Sequence, residues 1–222
     1  MQFDLNEILR KHLLSGDRPE DDMMHPSGDI VGPLRHTMLR MAGAPEKPDT
    51  IASQIRLNTG TMWHDYIGEM LENKGIPVMR EISATPGLPV GWAGTADFLF
   101  WSEEDRGFIL CDLKTTKGEG IQYIERDGIK TEHYHQLSAY WNAFVEMGYP
   151  MVNRAQVWYV PMNEDYKVEG GVQPLLCEVT PMEGAVLWAE MIHRRELVDN
   201  YLRTFEEGRD GLGMHYVVEH PE

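Results

Sequence analysis

Residues 94–115 read GTADFLFWSEEDRGFILCDLKT: two apolar runs separated by a polar, glycine-ended hexapeptide. That is the pattern of two strands joined by a hairpin. Side chains alternate across a strand, so Asp112 and Lys114 share one face and Leu113 takes the other. A carboxylate and an ammonium are costly inside an apolar run unless they are paired or used. Asp97 is a second acid at the head of an apolar run, one hairpin away. Each feature alone has an ordinary explanation, an ion pair for Asp112 and Lys114 and a strand-end turn for Asp97. Together the two carboxylates can converge on one hard divalent cation, which takes carboxylates, waters and often a backbone carbonyl. Leu113 is placed to donate that carbonyl.

Working outward, the preceding segment changes period. Apolar residues at helical spacing predict a helix over 3–14, ended by Gly16, then a polar loop over 17–29. Pro33 opens a helix to about Met41, and a longer one spans Thr50–Asn73, with a break expected near Asn58–Gly60. Strands follow at Val78–Ala84, Val90–Trp101 and Phe108–Thr115. Residues 116–131 carry glycines and read as irregular. Thr131–Met147 is a helix with Leu137, Tyr140, Trp141 and Phe144 on one side. Ala155–Pro161 is a fourth strand, Leu175–Val179 a fifth, antiparallel at the edge, and Pro181–Glu207 a final helix. This order predicts an α/β fold: a mixed central β-sheet flanked by helices, with an N-terminal helical lobe. The expected division is an N-terminal helical segment over 1–50 and a core over 51–222, one structural unit overall.

Two helices contribute further polar groups. His64 lies in Gly60-Thr-Met-Trp-His64, where a histidine among apolar neighbours is ordinarily a core or surface residue. Glu69 and Glu72 follow it out of register and read as surface acids or spare ligands. Gln136 and Tyr140, four apart, share a helix face; packing accounts for the tyrosine, and the glutamine amide with the tyrosine hydroxyl can hold a phosphate.

The chain has 222 residues and a formal net charge of −16. That disfavours a broad grip on nucleic acid but leaves room for a small site in which metal ions invert the local field. Residues 30–60 are the exception: Arg35, Arg40, Lys47 and Arg56 stand against Glu46 and Asp49, so Arg35 and Arg40 are expected phosphate contacts. Two cysteines, Cys111 and Cys177, are too few for a disulfide framework or the four thiolates of an iron–sulfur cluster, and both read as buried, inert thiols. No apolar run approaches the ~20 residues of a membrane helix. No signal-peptide core opens the chain, so a cytoplasmic location is expected.

In order and spacing, Gly-x-x-x-His64, Gly94-x-x-Asp97, Asp112-Leu-Lys114 and Gln136-x-x-x-Tyr140 resemble the motifs of RecB-type PD-(D/E)XK nucleases, a superfamily with a restriction-endonuclease-like core. His25–Arg35 is similar to the family's entry into that domain, and the matched region runs from about 25 to 160. The resemblance implies a DNA exonuclease using Mg²⁺ or Mn²⁺. It assigns His64, Asp97, Asp112 and the Leu113 carbonyl to the metal, makes Asp97, Asp112 and Lys114 catalytic, and gives Gln136 and Tyr140 to the substrate. It also implies a role in phage-type recombination, repair or DNA degradation, as a homo-oligomer or with a recombination partner protein. Where many relatives carry cluster cysteines this chain has none, so no iron–sulfur cluster is expected. An endonuclease on the same core, or a non-catalytic DNA-binding subunit, are the alternatives.

Overall fold

The computed structural model describes residues 22–44, 50–162 and 173–212, with side chains as far as Glu206. The expected helix over 3–14 and the residues Glu46, Lys47 and Asp49 lie outside these. A five-stranded sheet in the order β1-β2-β3-β4-β5 forms the centre: β1 Val78–Ser83, β2 Thr95–Ser102, β3 Gly107–Thr116, β4 Met151–Pro161 and β5 Leu175–Val179. The pairs β1/β2, β2/β3 and β4/β5 are antiparallel. The pair β3/β4 is parallel, because its connection passes through two helices. Those are α4 (Gly118–Asp127) and α5 (Thr131–Glu146). Before the sheet come α1 (Pro26–Asp29), α2 (Leu34–Met41) and α3 (Ile51–Asn73), and α6 (Gly184–Leu212) follows it. This is the mixed sheet flanked by helices that the element order predicts.

Two apolar cores sandwich the sheet. The larger joins Leu99, Leu110 and Val157 to Leu137, Ala143 and Phe144 of α5 and Leu187 and Met191 of α6. The smaller packs Ile67 and Leu71 of α3 on Phe98, Cys111 and Leu113. β3 is therefore covered on both faces, and a charged residue within it has no route to bulk water except at the strand's end.

Several expected boundaries move. α3 runs unbroken through Asn58–Gly60, because Thr50 and Ser53 form a reciprocal capping box and one interior glycine costs only about 1 kcal/mol. The loop expected over 17–29 ends in α1, whose Asp29 carboxylate accepts from the His25 N–H at 2.8 Å, the Thr37 hydroxyl at 2.7 Å and Arg40 at 2.8 Å. β2 starts at Thr95, not Val90: the Trp92 indole is turned inward to donate to the Met191 carbonyl at 3.1 Å. The stretch expected to be irregular, 116–131, contains α4, which buries Ile121 and Ile124 one turn apart. β4 begins at Met151, four residues early. α6 begins at Gly184, since the Met182 N–H is taken by Ser138 Oγ at 3.0 Å. Both cysteines are free; Cys111 is buried as expected, whereas Cys177 on edge strand β5 is only half-buried. Burial raises both thiol pKa values. No helix among the described residues is long and apolar enough to cross a membrane.

Candidate metal and phosphate site

The site lies where β1, β2 and β3 meet α3. The pairing of β2 with β3 runs as far as Phe98↔Cys111 and ends there. The next residue on each strand is an acid, Asp97 on β2 and Asp112 on β3. Asp97 Oδ2 accepts the Leu113 N–H at 2.7 Å, so a side chain replaces the missing ladder bond. The N–H and C=O of one residue leave an extended strand on the same side, so the Leu113 carbonyl faces Asp97 too. The other oxygen of Asp97 lies 3.4 Å from His64 Nδ1 of α3.

Asp112 is 1% exposed. Lys114 Nζ lies 2.8 Å from its Oδ2 and 3.1 Å from its Oδ1. Hydrogen-bond geometry is met at Oδ1 only, which leaves Oδ2 buried without a donor. Burial, opposed by Lys114 and reinforced by Asp97, pushes the Asp112 pKa up to about 6. Burial works against the charge of Lys114, but Asp112 and Asp97 outweigh it and its pKa is raised. Lys114 is therefore an ammonium. Burial likewise disfavours charge on His64, yet its hydrogen bond to Asp97 and the charges of Asp97 and Asp112 prevail and its pKa rises.

A third carboxylate joins the site that sequence reasoning missed. Glu81 of β1 offers an oxygen that, with donor atoms of His64 and Asp97, forms a group whose members all lie within 4.8 Å of one another. Its backbone is the reason. Glu81 has φ +47° in the middle of a strand, a left-handed conformation that costs a non-glycine residue on the order of 1–2 kcal/mol. The β1/β2 register passes from Arg80↔Phe98 to Ile82↔Ala96, and no pairing is formed at Glu81, opposite Asp97. Burial and the Asp97 charge raise its pKa. Glu81, Asp97 and the His64 imidazole form a donor set that suits a hard divalent cation; Asp112 lies outside that group, on the next strand, with one carboxylate oxygen buried without a donor.

The remaining expected residues divide. Gln136 and Tyr140 are both buried. The Gln136 amide and the Thr95 backbone hydrogen-bond to the Tyr140 hydroxyl, and burial pushes the pKa of that hydroxyl upward. A Cβ on Gly94 would lie 2.5 Å from the Tyr140 ring, so that glycine admits the tyrosine to the head of β2. Arg35 is exposed on α2. Arg40 is held by Asp29 at 2.8 Å and turned inward. Glu72 is engaged with Arg80 at 3.5 Å, and Glu69 is exposed; neither belongs to the donor group.

No protein-family model matches the chain, and no curated protein does. Solved structures do. The chain is similar to an alkaline exonuclease (LHK-Exo) from Laribacter hongkongensis, with a TM-score of 0.60 at 12% identity over 93% of this chain and 99% of that one. The same enzyme in complex with dAMP gives 0.61 at 12% identity, covering 91% and 99%. SSO0001 gives 0.53 at 15% identity, covering 88% and 87%. At these identities the likeness is one of fold.

Proposed function

We propose that this chain is a divalent-metal-dependent DNA exonuclease of the PD-(D/E)XK superfamily, RecB-type. The observation that carries the reading is Asp97. One of its oxygens faces His64 and the other fixes Leu113, directly beside a buried Asp112–Lys114 pair. The fold shared with an alkaline exonuclease, also known in complex with dAMP, supports it.

His64, Asp97, Asp112 and the Leu113 carbonyl would hold Mg²⁺ or Mn²⁺, with Glu81 as an additional ligand. A bound divalent cation lowers the pKa of a water and draws charge from a phosphate oxygen. The chain's own groups do the rest. Asp112 orients Lys114. Lys114 positions or helps deprotonate the attacking water and stabilises charge developing on the phosphate. Tyr140, steadied by Gln136, carries a hydroxyl toward the carboxylates, and Arg35 takes a phosphate further along the strand. Cytoplasmic DNA metabolism, in recombination, repair or degradation, is the matching setting.

The test is digestion of end-labelled linear and closed-circular DNA with Mn²⁺, Mg²⁺ or EDTA. Metal-dependent loss of the linear form alone is expected. Cutting of the circle converts the reading to an endonuclease. Survival of both substrates with a folded, metal-loaded protein rejects nuclease activity in this chain alone.

A further inference from the structure

The mechanism above leaves one buried polar chain unused. Tyr159 of β4 stands in register with Lys114 of β3 and is 1% exposed. Its hydroxyl hydrogen-bonds to the Lys130 backbone and lies 2.7 Å from Nδ1 of His133. A phenol proton given to Nδ1 leaves a neutral imidazole with its own proton at Nε2, on the side away from Tyr159.

The surroundings are chosen against a third positive charge. The positive charges of Lys114 on β3 and Lys130 before α5 act on the ring, opposed by its neighbour Glu132. Burial first, and then these two ammonium groups, pull the His133 pKa down to about 4. The ring therefore stays neutral at any working pH. His133 sits in the first turn of α5, one turn before Gln136, and remains partly exposed. A ring that only filled space would need neither a buried hydroxyl at its Nδ1 nor a partly exposed place over the strand pair that carries Lys114.

We propose that His133 is a substrate-binding residue: with Nδ1 held by the Tyr159 hydroxyl, its Nε2–H donates to a phosphate oxygen of the DNA strand beside Lys114. This rests on the nuclease reading and adds to it a contact that contributes no charge. Lysines there capture phosphate by Coulomb attraction; a neutral donor fixes direction.

The charge state supplies the test. Duplex affinity is measured by fluorescence anisotropy across a KCl series at pH 7.5, with Ca²⁺ in place of Mg²⁺ so that binding is read without turnover. His133→Ala is expected to weaken binding about tenfold or more, as loss of a hydrogen bond to a charged group does. The slope of log Kd against log salt stays that of wild type. His133→Gln, with an amide donor near the position of Nε2, restores most of the affinity, and His133→Met, which fills the space without a donor, does not. The Gln/Met pair decides the matter if the alanine variant is unstable. Tyr159→Phe, which frees the tautomer, falls between. Unchanged affinity in both Ala and Met variants overturns the proposal, and so does a slope reduced by about 0.9, the signature of a lost cationic phosphate contact. Both results leave metal-dependent cleavage by wild type standing. Failure of wild type itself to bind or cut DNA is the separate result that overturns the nuclease reading and this contact with it.

Discussion

Asp112 and Lys114 act as one unit, and their replacement separates two functions. On the proposed reading, Asp112→Asn removes a metal ligand and leaves Lys114 without its charged partner. Lys114→Ala keeps the ligands but loses the charge at the phosphate. Both are expected to lower cleavage by on the order of 10²–10³-fold or more, with only the first also losing the metal-induced rise in Tm. Normal turnover in either variant removes the assignment. Glu81 makes a finer test, because its backbone strain and its carboxylate are separable. Glu81→Gly relieves a φ of +47°, so its metal-free Tm is expected to equal or exceed wild type by a few degrees, about 2–4 °C per kcal/mol at this size. The metal-induced shift, in contrast, shrinks. A metal-free Tm well below wild type would show that the left-handed turn is not strained. A pH effect follows from Asp112, whose folded pKa of about 6 exceeds the ordinary carboxyl value of 3.8 through burial. Between those values the native state holds the extra proton. Its contribution to stability is complete below about pH 4 and is lost as pH rises through about 6. Melting in EDTA should show that decline between pH 4 and 7, Asp112→Asn should lack its share, and saturating Mn²⁺ should offset it above pH 6. A wild-type profile identical to that of Asp112→Asn contradicts the burial argument.

Elements reach the site by close approach, and glycines permit it. At Gly94 an added Cβ would meet the Tyr140 ring at 2.5 Å, whereas at Gly28 it would meet nothing within 4 Å. The ring is buried, so it has little room to swing aside. Gly94→Ala is expected to cost about 1–3 kcal/mol, as overpacking does, and to depress cleavage by disturbing the head of β2 next to Asp97. Gly28→Ala is the control that leaves turnover unchanged, and equal Tm values for the two variants in a thermal melt contradict the close-packing account. The same elements show what a linear sequence can carry. Alternation alone marks Asp112, Lys114 and Leu113, because their strand is apolar on both faces and any charge in it stands out. Asp97 is legible for the same reason. Glu81 is not: in Val78-Met-Arg-Glu-Ile-Ser83 an acid at an outward position is unremarkable, and no glycine announces the positive φ that brings it to His64. Helix α4 is masked by the opposite fault, since Gly118 and Gly120 read as breakers while its burial signal is a single pair, Ile121 and Ile124. Arg40 looks like a free cation until folding sets Asp29 against it, a pairing eleven residues apart that no local pattern encodes.

At the scale of the molecule, the proposed function asks an acidic chain to hold an acidic polymer. The net charge is −16, and many arginines are spent internally: Arg40 on Asp29, Arg80 on Asp65 and Glu72, Arg154 on Asp105, Arg195 on Asp199. The site itself presents three carboxylates. Without a cation it repels phosphate; with one, the largest local charge changes sign. Affinity for DNA should therefore depend on metal before chemistry begins. Replacing EDTA by Ca²⁺ is expected to tighten duplex binding by at least about tenfold, since neutralising one close charge at an effective dielectric near 20 is worth more than 1.4 kcal/mol. Asp97→Asn and Glu81→Gln should each bind better than wild type in EDTA, having lost a repelling charge, and gain less from Ca²⁺. Equal wild-type affinity with and without Ca²⁺ would place the grip on DNA away from these carboxylates. The exposed Arg35 of α2 would then be the residue to replace, and its loss would lower affinity by the same factor in both conditions.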